Sequence, residues 1–169
     1  MSSACPPARP VLLAIDPGTT HCAAALYQGD TCLGMALLKG VGPRDLAQKL
    51  SRFLGGRTVE HLVVEGQQVY PRSPVDPNDL FPLAVLDGVI VGQIPALKVF
   101  RPRPREWKGS TKKELKTRQL RAELTEEEVR HLASLKLTKK FEADVLDAVG
   151  IAKWARTAHP SILAACEVH

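Results

Sequence analysis

Two short apolar runs in this chain each end on a carboxylate. Val11-Leu12-Leu13-Ala14-Ile15 leads into Asp16, and His61-Leu62-Val63-Val64 leads into Glu65. Runs this short, rich in branched aliphatics and closed by a polar stop, read as buried strands. Pro17-Gly18 turns the chain directly after the first. A second pair of acids comes late, Asp144 and Asp147 within Glu142-Ala-Asp-Val-Leu-Asp-Ala-Val-Gly-Ile-Ala152. Three residues apart, they share one face of a helix. Two strand ends and a helix face carrying acids are how a fold would gather negative charge around divalent cations, since Mg²⁺ favours carboxylate oxygens.

The rest of the chain supplies a frame for those positions. His21–Tyr27 and Cys32–Leu38 read as two strands joined by a hairpin at Gly29-Asp30. Residues 43–54 carry Leu46, Ala47, Leu50, Phe53 and Leu54 at helical spacing, and Gly55-Gly56 stops them. Val59–Val64 is the fourth strand, and residues 69–77 are a proline-interrupted loop. Asn78 or Asp79 can cap a helix to about Gln93, and Ala96–Phe100 is the fifth strand. Residues 101–109 read as an extended arginine-proline loop, because Pro102 and Pro104 oppose a helix. Ser110 or Thr111 can cap a helix to about Leu124. Thr125 with Glu128 forms a capping box for a helix ending near Leu135, and Phe141 to about Ala158 is the last helix. The expected class is α/β, a mixed five-stranded sheet flanked by helices. Residues 11–158 form one domain between an N-terminal tail, 1–10, and a C-terminal tail, 159–169.

At 169 residues the chain can bury a sizeable single core. Leu80–Ile94 is its most apolar stretch, but it is too short for a membrane span and is interrupted by Pro82, Asp87 and Gly92. The start lacks the regions of a secretory signal, so a cytoplasmic setting is expected. Cysteines at 5, 22, 32 and 166 form no Cys-x-x-Cys pair, which disfavours structural zinc; Cys22 and Cys32 read as buried thiols on adjacent strands. The net charge is +5, and its distribution matters more. Residues 98–140 hold 14 Lys or Arg against 6 Asp or Glu, while the remainder is net acidic. A basic block beside an acidic pocket suits a polyanion: cations hold its backbone while metals handle one phosphate. The same lysines can also simply solvate a helix face.

Ile15-Asp16-Pro17-Gly18-Thr19-Thr20, then Val63-Val64-Glu65, then Ala143-Asp144-Val145-Leu146-Asp147-Ala148 resembles the RuvC family of Holliday junction resolvases. These belong to the RNase H-like, or retroviral integrase, superfamily. The likeness runs over roughly residues 10–156. It implies an RNase H-like fold and a Mg²⁺-dependent endonuclease, with Mn²⁺ able to substitute. It further implies two ions per site, held by Asp16, Glu65, Asp144 and Asp147 as catalytic carboxylates. Two ions ~4 Å apart can position water, activate the phosphorus and stabilise the leaving oxygen.

The resemblance also implies a partner, branched DNA in the form of a four-way junction, and a homodimer matching that junction's two-fold symmetry. Any branch-migration helicase that works with it is not readable. The family carries an aromatic just beyond its strand-end Glu that stacks on a junction base; Tyr70 stands five residues on, where it can stack or cap the sheet. Arg101, Arg103, Arg105, Lys108, Lys112, Lys113 and Lys116 are the expected DNA contacts, the lysines lying in the stretch where the family places helpful ones. Trp107 either lies against DNA sugars or anchors its loop, and Trp154 faces the core. His21 either touches a phosphate or is structural. The apolar helix 79–94, with Gly88 and Gly92 at i and i+4, is either a dimer contact or buried within the monomer. Other branched substrates, flaps or forks in DNA or RNA, fit the same residues, as does a non-catalytic junction-binding module. Asp16-Pro-Gly-Thr-Thr20 is also similar to the first phosphate loop of actin-like sugar kinases, which need two such domains.

Overall fold

The computed structural model describes residues 9–68 and 76–160. Its centre is β1, Val11–Asp16, flanked by β2, His21–Gln28, and β4, Val59–Val64. With β3, Thr31–Lys39, at one edge and β5, Ala96–Phe100, at the other, the strand order is β3-β2-β1-β4-β5. The first three strands are antiparallel neighbours, as a tight hairpin requires, while β4 and β5 run parallel to β1. The sheet is thus the expected mixed one, five-stranded and flanked by helices.

Side chains alternate across a strand, so each strand sorts its residues between two cores. Val11, Leu13 and Ile15 of β1 join Cys22, Ala24 and Leu26 of β2 and Leu62 and Val64 of β4 on one face. That face is covered by α1, Pro43–Leu54, and α2, Phe81–Gln93. Leu12, Ala14, Ala23, Ala25, Tyr27 and Val63 lie on the other, under α6, Lys139–Ala158. Small residues dominate that second face. Ala14, Ala23 and Ala25 opposite Ala148 and Ala152, all fully buried, let α6 lie close to the sheet. Each fully buried Leu, Ile or Val is worth roughly 1.5–3 kcal/mol, so this sorting fixes the register against a one-residue slip.

Three helices complete the α6 side: α3, Pro104–Lys108; α4, Lys113–Ala122; and α5, Glu126–Ser134. The capping box of α5 forms as expected: Thr125 Oγ1 accepts from the Glu128 N–H, and the Glu128 carboxylate accepts from the Thr125 N–H at 2.8 Å. Three expectations need correction. The 101–109 segment is extended only through Arg103. Pro104 then occupies the first turn of α3, where a fixed φ and a missing N–H do no harm. Helix α4 starts at Lys113 with Lys112 as its N-terminal boundary, so neither Ser110 nor Thr111 caps it. A 3-10 turn, Pro77–Leu80, precedes α2, and its cap is Asp76 rather than Asn78 or Asp79. Among the described residues no helix is long and apolar enough to cross a membrane. Most of the two expected tails lies outside the described residues, though Pro10 is buried and its carbonyl accepts from Gly29 N–H.

Candidate metal centre

The alternation that sorts the cores also aims the acids. Asp16 has the parity of Leu12 and Ala14, and Glu65 that of Val63, so both belong to the α6 face of the sheet. The strands that carry them are parallel neighbours, with Ile15 beside Val64. The ladder continues one step beyond β4, where Glu65 N–H donates to the Ile15 carbonyl at 3.0 Å. On its other side Gly66 N–H donates to the Pro102 carbonyl at 2.8 Å. A Cβ at Gly66 would stand 3.2 Å from the Arg101 carbonyl oxygen, so glycine lets the two segments approach. Gly18 has the same role after β1: a Cβ there would lie 2.5 Å from the His21 carbonyl oxygen.

From the other side α6 presents Asp144 and Asp147. Carboxylate oxygens of Asp16, Asp144 and Asp147 all lie within 4.8 Å of one another. The donor set is oxygen only, which suits a hard divalent cation such as Mg²⁺ or Mn²⁺ over zinc. Glu65 stands outside that group of three but near enough for its charge to be felt by both Asp16 and Asp147.

Crowding of this kind disfavours ionisation. Burial, then the charges of Glu65, Asp147 and Asp144, pushes the Asp16 carboxyl well above the usual carboxylate range, against the pull of Lys113. Burial also raises Asp147, which lies only 5% exposed, against Lys113 and Lys108. Two lysines offset part of the excess, and a histidine stands beside them. Lys113 Nζ stands 3.2 Å from Asp144 Oδ1 and 3.6 Å from Asp147 Oδ2. Burial works to lower its pKa, but Asp147, Asp144 and Asp16 together outweigh that and raise it. Lys108 Nζ lies 3.7 Å from Glu65 Oε1. His21 Nε2 lies 3.2 Å from Asp144 Oδ2, its ring edge-on to Phe141, over which Lys39 sits at 4.5 Å.

The expected site residues separate into groups. All four acids converge on the end of the sheet below α6, with Lys113 and Lys108 among them. Lys112 is exposed and Lys116 half-buried, on the N-terminal side of α4. Arg101, Arg103 and Arg105 are exposed, and Arg101 Nε is bound to Asp87 Oδ2 of α2 at 2.8 Å. Tyr70 lies outside the described residues. Two residues enter whose place the sequence leaves open. His21 begins the strand paired with β1, so its position beside Asp144 depends on α6 docking there. Trp107 is buried and donates its indole N–H to Glu65 Oε1 at 2.8 Å. Trp154 is half-buried against the α6-side core, with His159 edge-on to it.

No family model matches this chain, and no curated protein does. Solved structures do. Thermus thermophilus RuvC aligns with a TM-score of 0.56 at 17% identity, over 88% of this chain and 96% of that one. The yeast mitochondrial Holliday junction resolvase Ydc2 aligns with a TM-score of 0.61 at 11% identity, over 95% of this chain and 82% of that one. The fowlpox virus Holliday junction resolvase gives 0.52 at 16% identity, over 88% and 99%. The fold is therefore that of the RNase H-like resolvases. Within that class the chain has the RuvC-like arrangement, at sequence identities that establish fold and no more.

Proposed function

We propose that this protein is a metal-dependent endonuclease that resolves four-way DNA junctions by paired nicking. The observation that carries the reading is the convergence of Asp16, Asp144 and Asp147 within 4.8 Å on a RuvC-like fold, with Glu65 alongside. A second RuvC structure with this fold, at a TM-score of 0.51 and 17% identity over 89% of this chain and 97% of that one, is that of the T. thermophilus protein in complex with Holliday junction substrate. Asp16, Asp144 and Asp147 would hold one or both of two Mg²⁺ or Mn²⁺ ions, and Glu65 would complete the shell of one. When bound, such ions activate water and stabilise the leaving oxygen of an in-line phosphodiester cleavage.

The chain's own residues do the rest. Lys113 balances the acids in the free protein, and its flexible ammonium can turn to the scissile phosphate once cations take the carboxylates. His21 stands beside Asp144, with Lys39 next to it over the Phe141 ring, and both can hold the flanking backbone. Lys112 and Lys116, with Arg103 and Arg105, supply sequence-blind phosphate contacts along the approach. Tyr70, on the segment following Glu65, is proposed to stack on an unpaired base at the junction centre. Residues 11–158 serve as one nuclease domain acting in the cytoplasm.

The test uses labelled four-way junction, flap and plain duplex, each with and without Mg²⁺. We expect Mg²⁺-dependent, symmetric nicks on the junction, abolished by Asp16→Asn while junction binding persists. The amide is nearly isosteric but lacks the charge that holds a cation, and removing a negative charge near phosphates favours binding. Full cleavage by Asp16→Asn would sink the carboxylate site. Preferential cutting of flaps would move the substrate to another branched form.

A further inference from the structure

Glu65 is gripped by a residue outside the carboxylate scheme. The Trp107 indole N–H donates to Glu65 Oε1 across 2.8 Å, and Trp107 is only 6% exposed. An indole N–H is a donor only, uncharged and unable to ligate a metal, so a cation entering the site neither displaces it by repulsion nor recruits it. The ring is itself held. A Cβ at Gly150 would lie 2.7 Å from Trp107 Cζ3, so glycine at that point of α6 makes the seat for the indole. Gly150 is three residues beyond Asp147. Trp107 therefore touches both carriers of acids: the end of β4, through Glu65, and α6.

The geometry of the carboxylate adds direction. Lys108, next in the chain, brings Nζ to 3.7 Å from the same Oε1. Among the described residues the side-chain hydrogen bond to Glu65, from Trp107, falls on that oxygen, and the Lys108 ammonium stands beside it too far off to donate, which leaves Oε2 to a cation. Glu65 also needs holding more than its neighbours. It has one more rotatable bond than an aspartate, and it stands outside the group of three whose oxygens already converge. We propose that Trp107 is a positioning residue for metal binding: its indole N–H fixes the Glu65 carboxylate in one rotamer and offers Oε2, one oxygen only, to a divalent cation. Partners of this kind behind a ligand typically change metal affinity about 10–100-fold when removed. The inference rests on the metal-site reading given above.

Mn²⁺ binding, followed by the loss of the free-ion signal in electron paramagnetic resonance, tests it on the full chain without DNA. Four proteins are compared: wild type, Trp107→Phe, Glu65→Gln and the double variant. Phenylalanine keeps an aromatic ring over Gly150 and removes only the donor. We expect Trp107→Phe to weaken Mn²⁺ at least about 10-fold, and to weaken it no further where Glu65 is already Gln. In cleavage it should raise the Mn²⁺ needed for half-maximal rate while the rate at saturating Mn²⁺ largely recovers. Equal affinity of Trp107→Phe and wild type overturns the proposal. So does an equal loss in both backgrounds, which is what general damage to packing would give. If wild type and Asp16→Asn bind Mn²⁺ alike, the metal site itself falls, an outcome separate from any effect of Trp107. Should Trp107→Phe fail to fold, the indole N–H resonance of wild type decides. It should move on Mg²⁺ titration while that of Trp154 stays; an unmoved Trp107 signal overturns the inference.

Discussion

Asp16 and Asp147 are held in a state that folding alone would not choose. Both carboxyls are raised, first by burial and then by neighbouring acids. A carboxyl whose folded pKa lies above its unfolded one binds more protons in the native state over that interval. Stability must then fall as pH rises from the ordinary carboxylate range through the raised folded value. The metal-free protein should therefore be most stable at the acid end of that window and should lose stability as these two groups ionise. Thermal unfolding in chelator across the window measures this. Asp16→Asn should flatten the slope and, at the upper end, unfold at a higher temperature than the wild type. Mg²⁺ should stabilise the wild type and leave the variant almost unmoved. A wild-type profile no steeper than that of Asp16→Asn would contradict the crowding described. Stability given up at a functional site is the expected trade, and Lys113 recovers part of it when metal is absent.

At the scale of elements, the arginine-proline segment divides into parts with different work. Arg101 ties the chain after β5 to Asp87 on α2, whose other carboxylate oxygen is buried without a hydrogen-bond partner among the described residues, so Arg101→Ala should cost about 1–3 kcal/mol of stability. Arg103 and Arg105 lie at the start of α3, the helix whose Trp107 and Lys108 reach Glu65. Replacing both with alanine should weaken junction and duplex alike and reduce the slope of log affinity against log salt by ~0.9 for each phosphate no longer neutralised. Lys113→Ala should instead slow single-turnover cleavage with a smaller effect on binding. An unchanged salt slope in the double arginine variant would make the segment a connector and move the DNA path elsewhere. These elements also mark how far the sequence can be read. Strand positions follow from apolar runs closed by polar stops, and the α5 cap from a Thr–Glu spacing, because both signals are local. Helix α3 escapes such a reading because proline reads as a helix breaker, although at a first turn it is compatible with a helix. The contacts of Trp107 with Glu65 and of His21 with Asp144 span 42 and 123 residues. Such pairings depend on how α3 and α6 dock on the sheet, which no local pattern encodes. The four acids are legible for the opposite reason: strand ends and an i, i+3 helix face are local features that the topology only has to bring together.

At the scale of the whole molecule, α2 is packed on one side only among the described residues. Leu86 and Ile90 are buried against the sheet, yet Phe81 is 69% and Val85 52% exposed, and among the described residues nothing lies within 4 Å of a Cβ built at Gly88 or Gly92. An apolar stripe with bare glycines one turn apart suits close approach of a second helix, and a two-fold axis there would place one copy of α2 against the other. Paired nicking of a two-fold symmetric junction calls for two active sites delivered together, which a monomer lacks. Val85→Glu would bury a charge at the centre of such an interface while touching none of the acids. We expect it to be monomeric by light scattering and to keep wild-type Mn²⁺ affinity. On a supercoiled plasmid carrying an extruded cruciform, the wild type should cut both strands within one binding event and release linear product. The variant must dissociate and rebind after its first cut. That cut relaxes the plasmid and reabsorbs the cruciform, so the variant should accumulate nicked circles instead. Linear product at the wild-type rate from a protein shown to be monomeric would remove α2 from the assembly and leave the pairing of nicks to be explained by a single chain.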